Sequence, residues 1–176
     1  RCGIKRQTFY YHFQDKYELI NWVFYTDMLQ NVNSFNDPSK LTDSFLNVCK
    51  CLYANRKFYL ACFQYVGQNS LYEYLNDLYY EMWKINIDMR YSESGFKLTE
   101  SELQLMAKMK AHSLVGIISD WVKDGMRDNY MSYFEQVHAV LEFEASGYAH
   151  LTEERMLGEH MEKANMIGRK KCLKVC

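Results

Sequence analysis

The sequence predicts an all-α protein. Only one proline and 8 glycines interrupt 176 residues, apolar residues recur at intervals of three and four over long stretches, and helix-capping signals stand where those stretches begin. The length suffices for one substantial core and is short for two independent ones.

A first short helix is expected from about Lys5 to Phe13. Asp15 followed by Glu18 resembles a capping box and opens a second helix from Lys16 to about Ser34. Its apolar residues, Leu19, Ile20, Trp22, Val23 and Phe24, cover more than one stripe, as in a helix packed on two sides. Asp37-Pro38 marks the next start, since proline at the first helical position lacks only an N–H that would be orphaned anyway. Leu41, Phe45, Val48 and Leu52 then form one buried face.

Further helices are expected from Arg56 to Val66, ending near Gly67, and from Leu71 to about Arg90, with Tyr72, Leu75, Tyr79, Met82 and Trp83 facing inward. Ser92 to Lys97 reads as a loop. Thr99-Glu100-Ser101-Glu102 is a capping box for a helix to Asp124, with Gly125 as its left-handed cap. A last helix covers about Met131 to Ala145, and from Gly147 the periodicity weakens into a loosely held helix or disordered tail. These boundaries divide the chain into 1–34, 35–146 and 147–176, the last a weakly structured tail.

The formal net charge is −1, which argues against a generally basic nucleic-acid binder. The positive charge is local: Arg1, Lys5, Arg6 and Lys16 against Asp15 give residues 1–16 a net +3 and leave −4 for the rest. No run approaches the roughly 20 apolar residues that cross a bilayer, and no secretory signal opens the chain, so a soluble cytoplasmic protein without membrane partners is expected. The six cysteines, at 2, 49, 51, 62, 172 and 176, are read as reduced thiols. Cys49-x-Cys51 has no histidine at a zinc-like spacing, so neither a metal nor another cofactor is expected.

The chain opens RCGIKRQTFYYHFQDKYELINWVF. On a helix, Phe9 and Phe13 share one face as anchors, while Arg6 with Tyr10, Gln7 with Tyr11 and Thr8 with His12 line the others. Cys2-Gly3-Ile4 before it fits a helix-turn-helix, with Gly3 in the tight turn and Ile4 as a plug beneath it. Arginine can make two bonds to guanine and glutamine two to adenine, whereas Thr, Tyr, His and Lys suit phosphate oxygens. These residue types suit a groove-reading helix.

CGIKRQTFYYHFQDKYEL resembles the end of the TetR-family DNA-binding domain over roughly the first two dozen residues. The resemblance implies a regulator that binds double-stranded operator DNA, with a helical body that receives an effector and forms a dimer. It places Arg6, Gln7 and Tyr10 where family members often touch bases, and Lys5, Thr8, Tyr11, His12 and Lys16 where they hold the phosphate backbone. Lys5 departs from the family's small hydroxyl N-cap, which weakens the cap. Because the family places two further helices before the turn, specific DNA binding is expected only of the complete protein. DKYELINWVF and SDWVKDGM are also similar to a TetR subgroup that includes activators of dihydroxyacetone-kinase operons, in which a protein co-regulator can replace the small-molecule effector.

Trp22, Phe45, Phe63, Tyr79, Trp83 and Trp121 read either as plain core or as the lining of an effector cavity. His112 reads as a core or interface histidine. No nucleophile triad, glycine-rich phosphate loop or purposeful carboxylate pair is visible, so an enzyme is not expected. The helix from Thr99 is apolar on several faces, more than one subunit can bury, and Gly116 is easiest to justify where two backbones meet. A two-fold homodimer through Met109, Gly116, Ile118, Val122, Phe134, Val137 and Leu141 is therefore expected, its four helices forming a bundle.

Overall fold

The computed structural model describes residues 3, 5–29, 40–65, 67–93 and 97–144, and all regular structure among them is helical. The chain divides into a unit spanning Arg1–Phe134 and a second spanning Glu135–Cys176. The first contains α1 (Arg6–His12), α2 (Lys16–Leu29), α3 (Leu41–Ala54), α4 (Arg56–Phe63), α5 (Leu71–Glu93) and α6 (Glu100–Lys123). A seventh helix, α7, covers 130–144. The expected start at Asp37-Pro38, the plug Ile4, the end of the second expected helix and the 147–176 tail lie outside the described residues.

Local chemistry sets the ends. Gly3 takes φ 68°, the left-handed turn conformation its position requires. At α2, Asp15 Oδ1 accepts from the N–H groups of Tyr17 and Glu18, both at 2.8 Å. Glu18 reaches back to the N–H of Gln14 at 2.6 Å, one residue earlier than a standard capping box would place it. Asn129 Oδ1 takes the N–H groups of Met131 and Ser132 at 3.0 Å and so starts α7.

The box opening α6 is complete: Thr99 Oγ1 accepts from Glu102 N–H at 3.3 Å, and Glu102 accepts from Thr99 N–H at 2.8 Å. At its other end Met126 N–H reaches Trp121 O and Gly125 N–H reaches Val122 O, both at 2.9 Å, with φ 82° at Gly125 and 51° at Met126. This pairing is a Schellman motif, completed by Met126 packing fully buried beneath the helix end.

Burial follows the predicted faces except at Leu41, Tyr72 and Trp83, which are half-buried. Phe45, Val48 and Leu52 of α3 are buried with Phe24 and Met28 of α2, Tyr59 and Phe63 of α4, and Leu75 and Tyr79 of α5. Beyond this core, Ile87, Leu103 and Ala107 form a cluster backed by Tyr80, Trp83 and Met106 where α5 ends and α6 begins. Lys84 and Glu100 bridge the same junction at 2.9 Å. Helix α5 runs to Glu93, past the expected Arg90, while α4 stops at Phe63 rather than Val66. In the second unit, Val137 and Leu141 are half-buried, whereas Val140 and Phe143 are 60% and 79% exposed.

Candidate nucleic-acid interface

Helix α1 contributes no buried residue. Lys5, Arg6, Gln7, Thr8, Tyr10, Tyr11, His12 and Lys16 are all exposed, while Phe9 and Phe13 are half-buried. The separation by spacing therefore holds: the phenylalanines seat the helix and the polar side chains project. Phe9 and Phe13 lie 5.8 Å apart between ring centroids, and Phe13 meets Trp22 of α2 edge-on at 5.9 Å. Lys5 is the N-cap residue, in an extended conformation and without a side-chain cap bond. A lysine ammonium is a donor only and has nothing to offer the first N–H groups of the helix.

Two cation–π contacts hold charges in place on this surface. The Arg6 guanidinium carbon lies 5.5 Å from the Tyr10 ring centroid, and Lys16 Nζ lies 4.9 Å from that of Tyr17. A turn at Gln14 and Asp15 leads from α1 into α2, so the caged cations and the aromatic seat belong to one short segment.

Trp22 does not belong with the interior aromatics. It is 53% exposed and supports Phe13, because its face of α2 turns toward α1. Of the other five, Trp83 is half-buried and the rest are buried, and they are spread between regions. Trp121 stacks on Tyr133 at 4.4 Å, Phe45 meets Tyr133 at 6.4 Å, and Trp83 belongs to the α5–α6 junction cluster. Phe63 and Tyr79 are fully buried.

The residues expected at a dimer face also divide. Ile118 and Val122 are fully buried in the chain itself, with Leu114 and Trp121 on the same side of α6, which removes them from any outer surface. Met109 is 64% exposed. A Cβ added at Gly116 would meet nothing within 4 Å, so packing within the chain does not require this glycine. Leu105, 60% exposed, and exposed His112 share the outward face with them at spacings of four, three and four. Phe134 is half-buried 5.6 Å from Phe45.

Cys49, Cys51 and Cys62 are free and buried, and burial pushes the Cys62 thiol up to about 11. Among the described residues no group of His, Cys, Asp and Glu could hold a metal ion, and no helix is long and apolar enough to cross a membrane.

Residues 39–143 match the family described as the transcriptional regulator C-terminal region of TetR type. The HTH-type dhaKLM operon transcriptional activator DhaS of Lactococcus lactis subsp. lactis (strain IL1403) is 35% identical over 60 residues, 34% of this chain and 32% of that protein. The chain thus aligns with about a third of that relative's length. The solved structure of a dihydroxyacetone kinase operon activator DhaS superposes with a TM-score of 0.57 at 20% identity, covering 80% of this chain and 77% of the other, and shows the same fold.

Proposed function

As the chain belongs to the TetR family of transcriptional regulators, we propose that it reads operator DNA with α1 in the major groove and that a signal received in its helical body controls this binding. The observation that carries the reading is the exposed set Arg6, Gln7 and Tyr10 on a helix seated by Phe9, Phe13 and Trp22. Both direct base contact and phosphate contact are available from adjacent positions, with Lys5, Thr8, Tyr11, His12 and Lys16 for the backbone. The site of action is the cytoplasm, where operator DNA is reached. Footprinting of the full-length protein on the promoter of its neighbouring operon tests the proposal. A protected site with two related half-sites is expected; protection without sequence preference would sink it.

The protein acts as a homodimer in this reading, because two reading helices must stand about 34–36 Å apart to meet successive major grooves. The outward row Leu105, Met109, His112 and Gly116 on α6 supports this.

A small-molecule effector is the proposed signal. Asn76 Oδ1, Tyr79 Oη and Trp83 Nε1 follow one another at spacings of three and four along α5, and each is buried with no hydrogen-bond partner among the described residues, as is Tyr133 Oη. Each such group costs about 1–3 kcal/mol, so a small uncharged molecule able to supply the bonds would bind there favourably. The alternative signal is a protein co-regulator, favoured by Ile85 and Met89, 49% and 46% exposed four residues apart on α5. The small-molecule fraction of a cell extract should alter operator binding by the wild type and not by Tyr79→Phe/Tyr133→Phe. A response confined to the protein fraction would select the co-regulator.

A further inference from the structure

Asn69 lies in the turn between α4 and α5, far in sequence from α1, yet it is bonded to the start of α2 on two sides. Its Nδ2 donates to Asp15 Oδ2 at 3.2 Å. Its backbone carbonyl accepts from Asn21 Nδ2 at 3.1 Å. The two contacts lie 54 and 48 residues away along the chain and hold the capping residue of α2 and a residue inside that helix.

The turn that presents Asn69 is itself fixed. Asn69 adopts φ 65°, a left-handed conformation that asparagine tolerates better than most residues. Its N–H is held by Glu73 Oε2 at 2.9 Å, and Ser70 N–H returns to Gly67 O at 3.0 Å. Tyr65 stacks flat on Tyr17, with centroids 4.0 Å apart and planes 13° apart. A Cβ at Gly67 would come within 2.8 Å of the Tyr65 hydroxyl oxygen, so glycine lets the chain pass that closely under the ring.

Asp15 has a second task that makes this attachment directional. Its other carboxylate oxygen caps α2 by accepting from Tyr17 and Glu18, and α1 ends three residues before it, at His12. Whatever holds Asp15 therefore holds the joint between the exposed helix and the body. Phe13 against Trp22 fixes how far α1 stands off α2. The Asp15 and Asn21 bonds fix how α2 itself leaves the body.

We infer that Asn69 is a positioning residue for operator recognition, setting through Asp15 and Asn21 the angle at which α2 carries α1 toward DNA. The inference rests on the reading of α1 as the DNA-contacting helix. Asn69 is exposed, so its bonds contribute little to global stability and much to the relative placement of two elements. The effect should consequently fall on specific binding, which needs α1 at a defined angle, more than on non-specific binding, which needs only charge.

The test uses the full-length protein in operator and non-specific DNA titrations beside thermal unfolding. N69G retains the left-handed backbone without the side chain and should weaken operator binding several-fold, leaving non-specific affinity and the unfolding midpoint near those of the wild type. N69D sets a carboxylate against Asp15 and should weaken operator binding about tenfold; the partner swap D15N/N69D should restore it, because Asn caps a helix as well as Asp and can donate to the new carboxylate. Unchanged operator affinity in both N69G and N69D, with Arg6→Ala weakening it, would overturn the inference and leave the DNA reading intact. Equal weakening on operator and non-specific DNA by N69G, or no rescue by the swap, would also overturn it. Were Arg6→Ala to have no effect either, the assignment of α1 itself would fail.

Discussion

The Tyr59 hydroxyl donates to Asp27 Oδ2 at 2.9 Å, which ties α4 to α2. Cys51 of α3 approaches the same hydroxyl at 3.5 Å, so three helices meet at one polar point. Burial is the main cause that pushes the Tyr59 hydroxyl above its ordinary value, with the Cys51 and Asp27 contacts adding to it. The phenol stays protonated and remains a donor to the carboxylate.

Tyr59→Phe should therefore destabilise the chain by about 1.5–3 kcal/mol, the range for a hydrogen bond to a charged group. The ring keeps its edge-on contact with Phe24 at 5.9 Å, so little packing is lost. Urea denaturation of the two proteins measures the difference. An unchanged midpoint would show that the bond contributes nothing net.

Arg6→Ala in the full-length protein should cost about 1–3 kcal/mol of operator binding and relax the preference at one base pair. Lys16→Ala should weaken all DNA sequences alike and reduce the salt slope by about 1. Titrations at several salt concentrations separate the two. If neither substitution changes operator affinity, the assigned residues are not the ones that meet DNA.

Much of this fold was legible because its determinants are local. The Thr99 to Glu102 box, the Gly125 cap and the face Phe45, Val48, Leu52 each lie within a few residues of one another, and each is found where spacing placed it. The outward set on α1 was legible for the same reason. Contacts between distant segments were not. Nothing near Asn69 in sequence signals that it meets Asp15, and Trp22, an interior candidate by composition, instead seats Phe13. On α6 the apolar residues surround the helix, so periodicity alone could not say that Ile118 and Val122 face inward while Leu105 and Met109 face out.

Asp15 should titrate below the ordinary carboxylate value. The Glu18 N–H is the main cause, followed by the Asn69 side chain, and both favour the charged form against a smaller opposing effect of burial. A lowered folded-state value means that the stabilising contribution is complete above the unfolded value of about 3.9 and is lost as pH falls through the folded one. An NMR titration should place the Asp15 midpoint below that of an unfolded peptide, and Asn69→Gly should move it upward. A midpoint at the peptide value would show that neither bond favours the carboxylate.

Gly116 supplies the sharpest prediction about assembly. It sits mid-helix on α6, where glycine costs about 1 kcal/mol relative to alanine, and an added Cβ would meet only open space within the chain. In an isolated subunit Gly116→Ala should therefore be stabilising by about that amount. Where a second α6 packs backbone to backbone on Leu105, Met109 and Gly116, the same methyl would hold the helices apart and weaken association. The two effects are read separately, one by denaturation at low protein concentration and the other by sedimentation across a concentration series. Met109→Glu should yield a folded monomer, because Met109 is 64% exposed within the chain. Ile118→Glu should instead unfold it, since that side chain is fully buried. Gly116→Ala and Met109→Glu variants that both sediment like the wild type would show that this face of α6 carries no association.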